Sequence, residues 1–87
     1  MNSFGQLKVE KYAETFEKEL RGLIRRREAD PECTVGDIEQ VLHHLYIRDG
    51  ADNHGRGEMQ DIIMAATIAA YEHSIAQWKA DEINRQE

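Results

Sequence analysis

The stretch IIMAATIAAYEHSIAQW, residues 62 to 78, constrains this chain more than any other segment. It lacks proline and glycine and is rich in good helix formers, so it reads as helix. At 100° per residue its apolar and small side chains fill an arc of about 280°, with only Asp61, Glu72 and Lys79 marking a polar face. A surface helix usually shows an apolar stripe little wider than about 100°. A helix this greasy has to be enclosed from several sides, by the rest of the chain or by another one.

The rest of the chain offers two more helices. Only one proline occurs, and no segment alternates β-branched with polar residues, which leaves no strand. Residues 7–29 place Val9, Tyr12, Ala13, Phe16, Leu20, Leu23 and Ile24 within an arc of about 120°, a one-sided amphipathic helix. Glu14 with Lys18 and Glu17 with Arg21 are favourable i,i+4 pairs, and "ADPE" ends the helix, because the residue before proline disfavours helical backbone. Residues 35–48 form a shorter helix, opened by "TVGD" with Thr34 as N-cap and Asp37 closing a capping box. Its stripe is Val35, Ile38, Val41, Leu42, Leu45 and Tyr46, leaving His43 and His44 outside. "DGADNHGRG", residues 49–57, reads as a loop, and the third helix covers 58–84.

The expected fold is therefore one all-α domain over residues 1–87, three helices running up-down-up, with the first and third long and the second short. At 1.5 Å per residue the long helices reach about 35–40 Å and the short one about 20 Å. Two narrow stripes cannot enclose the third helix along that length. Its wheel divides into a large-residue face (Met64, Ile68, Tyr71, Ile75, Trp78), expected to pack on the other two helices, and a small-residue face. The small face, Ile62, Ala66, Ala69, Ala70, His73 and Ala76, suits close approach of another helix, and a second copy of the chain is the expected occupant, giving a helical-bundle homodimer. His73 lies inside that apolar arc and is read as an interfacial or core histidine.

Charge and composition bound the function. Charged residues make up 32% and hydrophobic ones 40%, a normal globular balance. The opening residues MNSFGQLKVEKY lack the apolar segment of a signal peptide, and no run approaches the roughly 20 apolar residues that span a bilayer. Cys33 is the lone cysteine, which excludes an intrachain disulfide and fits a reducing compartment; the chain reads as cytoplasmic, without a membrane partner. The net charge is −6, yet residues 1–30 carry +1 and residues 31–87 carry −7. The basic end holds Arg21, Arg25, Arg26 and Arg27, a candidate contact for nucleic acid or another anion, although the overall field opposes it.

Chemistry is harder to place. His43, His44, Asp49, Asp52, His54 and Glu58 are metal-ligand types close in sequence, with His43, His54 and Glu58 as the weak candidates. Adjacent histidines point about 100° apart on a helix, the i,i+4 pair is missing, and the loop fails as a calcium hand, so no metal and no cofactor is expected. "HGRG" offers backbone N–H groups and Arg56 at a helix start, though loop geometry alone accounts for its glycines. Paired carboxylates occur twice, Glu14 with Glu17 in "ETFE" and Glu58 with Asp61 in "EMQD". This loosely resembles the helical MazG-type nucleotide pyrophosphatases, where an E-x-x-E and an E-x-x-D on two helices hold magnesium beside a triphosphate. Here the motifs lie about forty residues apart with a whole helix between them, longer than that family's gap. The principal expectation is a non-catalytic interaction or regulatory protein that self-associates through the third helix. A nucleic-acid-associated regulator and a magnesium-dependent pyrophosphatase-like enzyme are the alternatives.

Overall fold

The computed structural model describes residues 3–51 and 57–85. They form three helices, α1 (Ser3–Ala29), α2 (Val35–Ala51) and α3 (Glu58–Arg85), and no strand is found among the described residues. Each helix runs at or slightly beyond the expected bounds. α1 begins at Ser3, four residues early, where Gln6 donates to Glu10 at 3.5 Å and the Lys8 ammonium lies 4.6 Å from the Phe4 ring centre, both one turn apart. α2 continues through Asp49, Gly50 and Ala51, residues expected in the loop. A glycine costs an established helix only about 1 kcal/mol, too little to stop one already nucleated. The remainder of the expected loop, 52–56, lies outside the described residues.

The α1–α2 junction behaves as its local chemistry requires. Asp30 N–H still donates to the Arg26 carbonyl at 3.0 Å, then Pro31 ends the helix. The Asp30 carboxylate accepts from Glu32 N–H at 3.0 Å, and its carbonyl accepts from Cys33 N–H at 3.1 Å, closing a tight turn. The capping box is reciprocal: Asp37 N–H donates to Thr34 Oγ1 at 3.2 Å, and Thr34 N–H donates to Asp37 Oδ2 at 3.0 Å.

α3 packs against both other helices. Lys8–Glu58 at 3.1 Å, Phe16 on His73 with centroids 5.9 Å apart, and Arg27–Asp81 at 3.0 Å join α1 to α3 in the same order along both. Tyr46–Glu72 and Glu39–Lys79 at 2.9 Å join α2 to α3 in opposite order. The core gathers where α1 turns into α2: Leu23, Cys33, Ile38, Leu42, Ile75 and Trp78 are buried, with Val35, Ile68 and Tyr71 packed against them. Four of the five residues of the large-residue face of α3, Ile68, Tyr71, Ile75 and Trp78, thus pack in the core. Cys33, from the turn, is a buried core thiol.

The molecule is elongated, with principal extents of 50 × 30 × 22 Å. Its radius of gyration is 15.1 Å, against about 12 Å for a compact domain of this length. It exposes 6319 Å², against about 5300 Å² for a folded monomer of 10.1 kDa. Among the described residues no helix is long and apolar enough to cross a membrane.

Candidate interaction surface

Exposed apolar residues include Val9, Tyr12 and Ile24 on one side of α1, with Phe4 and Leu7 near its start and Tyr46, Ile47 and Ile83 on the other two helices. The sequence centres the apolar arc of α1 near Val9, whereas the buried side is centred about 70° away. Thr15 is only 8% exposed while Val9 is 70% and Ile24 47% exposed. The helix turns Leu23, Thr15 and the stem side of Lys8 toward α3 and leaves Val9, Ala13 and Ile24 outward.

Two cavities lie along the α1–α3 groove that this rotation opens. One, of about 410 Å³, is bounded by Lys8, Val9, Tyr12, Ala13 and Ile62. The other, of about 500 Å³, has Leu20 and Ile24 on α1, His73 and Gln77 on α3, and the Arg27–Asp81 pair among its walls. Between them the Phe16 ring meets His73 edge to face.

The small-residue face foreseen on α3 is divided by the structure. Ala66 and Ala70 have no exposed surface, so they add none to a contact with another chain. On the wheel they fall between Ile62, which shares a cavity with Val9, and Asp81, which holds Arg27; they therefore serve the close approach of α1 within the chain. Alanine permits a neighbouring helix to come near without specifying whose helix it is. Ile62 and Ala69 are half-buried, and His73 and Ala76 are exposed.

The arginine cluster also separates. Arg27 donates to Asp81 at 3.0 Å and lies 4.4 Å from the Trp78 ring centre, so it is engaged inside the chain. Arg21 pairs with Glu17 at 3.7 Å, while Arg25 and Arg26 are exposed. Arg21 and Arg25, four residues apart, share one face of α1, while Arg26 points about 100° away from Arg25. Gln77 completes the Arg27 group by donating to the second Asp81 oxygen at 3.0 Å. These two hydrogen bonds, the one from Gln77 first, hold the Asp81 carboxyl below the usual carboxylate range, against a smaller opposing effect of burial. This cluster was missed in the sequence; its only local sign is the i,i+4 spacing of Gln77 and Asp81.

The candidate chemical groups remain apart. Among the described residues no three His, Cys, Asp or Glu side chains converge as a metal site would need. Glu58 is paired with Lys8, Glu14 with Lys11 at 3.8 Å and Glu17 with Arg21, so the two carboxylate motifs do not face a common ion. His43 and His44 are exposed with ring centroids 6.2 Å apart; His54, Asp52 and Arg56 lie outside the described residues. Tyr46, expected in the α2 stripe, is exposed and donates its hydroxyl to Glu72, which raises its pKa. The tyrosine's polar tip reaches the α3 carboxylate from the edge of the interface, and the residue stays 44% exposed. No protein-family model, curated protein or solved structure matches the chain.

Proposed function

We propose that the chain is a small, non-catalytic helical interaction protein, an up-down-up bundle that pairs with a second copy of itself through the groove between α1 and α3. The observation that carries this reading is the outward half of the α1 apolar stripe, with Val9 70% and Ile24 47% exposed beside two cavities. A second copy is the occupant we propose, because a two-fold pair covers the same face on both copies at once.

The test is light scattering on the purified protein over a dilution series. Wild type should hold a mass of twice 10.1 kDa, and Ile24→Arg should fall to 10.1 kDa with its helical circular dichroism intact. Ile47→Arg, at a position 54% exposed on α2, should leave the dimer unchanged. A wild-type monomer at every concentration, or a dimer broken by Ile47→Arg and not by Ile24→Arg, would overturn the proposal.

A further inference from the structure

The cavity of about 500 Å³ between α1 and α3 carries chemistry of its own. On the α3 wheel, Ala66, Ala70, Ser74, Gln77 and Asp81 fall on the side turned to α1. Ala66 and Ala70 have no exposed surface, so the packing is close there. One turn on, the same side carries polar residues. The cavity opens there, with Ser74, Gln77 and Asp81 in one wall and Leu20 and Ile24 in the other. Its volume falls within the range of small-molecule sites, about 300–1000 Å³. Every wall belongs to one chain, so the site does not rest on the pairing of two copies.

The charges in these walls are not equivalent. Asp81 is occupied: Arg27 donates to one of its oxygens at 3.0 Å and Gln77 to the other at 3.0 Å. Arg27 is fixed with it, 4.4 Å from the Trp78 ring centre. Glu28 and Arg85 also line the cavity, and among the described residues neither side chain has an ion pair or hydrogen bond. The cavity therefore presents one unmatched anion, one unmatched cation and an apolar wall. A carboxylate alone would suit Arg85 and be opposed by Glu28, and an ammonium alone the reverse. A ligand carrying both leaves neither charge opposed. We propose that this cavity binds a small zwitterion with an apolar body, of the class of the apolar α-amino acids. Its carboxylate faces Arg85, its ammonium faces Glu28, and its side chain lies on Leu20 and Ile24. Both charged side chains reach solvent, so each contact changes affinity by only a few-fold.

The test is a titration of isotope-labelled full chain followed by nuclear magnetic resonance. The probes are L-phenylalanine, hydrocinnamate and phenethylamine; the last two keep the ring and lose one charge each. The indole N–H of Trp78, the single tryptophan, and the Gln77 side-chain amide report on the cavity wall. Phenylalanine should shift both signals saturably and bind several-fold tighter than either analogue. Glu28→Gln should abolish its advantage over hydrocinnamate, and Arg85→Gln its advantage over phenethylamine, each with helical circular dichroism intact. A general loosening of the helices would not separate the analogues in this way. No saturable shift with phenylalanine would overturn the proposal, as would wild-type protein that binds either analogue as tightly. Variants that weaken all three probes alike would also overturn it.

Discussion

Ile38→Ala should be among the most damaging aliphatic truncations in the described part of the chain. Ile38 is 1% exposed and lies among Leu23, Cys33, Leu42, Ile75 and Trp78, where all three helices and the turn meet. The substitution removes three carbons, a transfer loss of about 2.4 kcal/mol at about 0.8 kcal/mol each. A cavity term adds to this, since residues from α1, α2, α3 and the turn wall the site and it cannot collapse from one side, giving about 3–4 kcal/mol in all. A domain of this length is stable by only about 4–13 kcal/mol, so the loss takes a large part of the total and lowers Tm by about 12–30 °C. Trp78, the single tryptophan, sits in the same cluster and serves as the probe. Urea unfolding followed by its fluorescence, at one protein concentration so that any association is held constant, should show the midpoint fall with an unchanged slope. Ile47→Ala is the control; Ile47 is 54% exposed, and its truncation should change stability by less than about 0.5 kcal/mol. An Ile38→Ala protein no less stable than Ile47→Ala would refute the placement of the core.

Thr34→Ala removes one side of the reciprocal cap on α2 and should cost about 1 kcal/mol in the same urea experiment, whereas Thr34→Gly should cost only a few tenths. For Asp81→Asn the expectation concerns pH. The folded carboxyl is held below its ordinary pKa, so its contribution is present above that ordinary value and is lost as pH falls through the lower folded value. Thermal melts should therefore show the variant less stable than wild type at neutral pH, with the gap closing toward pH values below the ordinary aspartate range; a gap independent of pH would contradict the assignment.

The parts of the fold that were legible in the sequence are those set by neighbours along the chain. Ala29 ends α1 because Pro31 follows, and Thr34 with Asp37 starts α2, both through contacts of at most four residues. The face of Ile68, Tyr71, Ile75 and Trp78 points to the core because four large side chains at helical spacing exceed what a surface tolerates. What was not legible depends on partners far along the chain. Arg27 reads with Arg21, Arg25 and Arg26 by adjacency, yet its carboxylate is Asp81 and its ring is Trp78. Ala66 and Ala70 show a capacity for close approach, and only the packed chain shows that α1 uses it.

The rotation of α1 is the most informative of these departures. Seven apolar residues in one arc specify how much surface the helix must bury, not which neighbour buries it. Turning α1 by about 70° would bring Val9 and Ile24 inward, but it would turn Thr15 out of its buried place and pull Lys8 from Glu58. The chain keeps the orientation that preserves those contacts. Leu23 and Ile24, adjacent in sequence and 6% and 47% exposed, then lie on either side of the division between two neighbours. The inner neighbour is α3 of the same chain. The apolar width of α1 beyond what α3 covers is the portion that the proposed second copy accounts for, and the Ile24→Arg measurement bears on that portion alone, since Ile24 lies outside the buried core cluster.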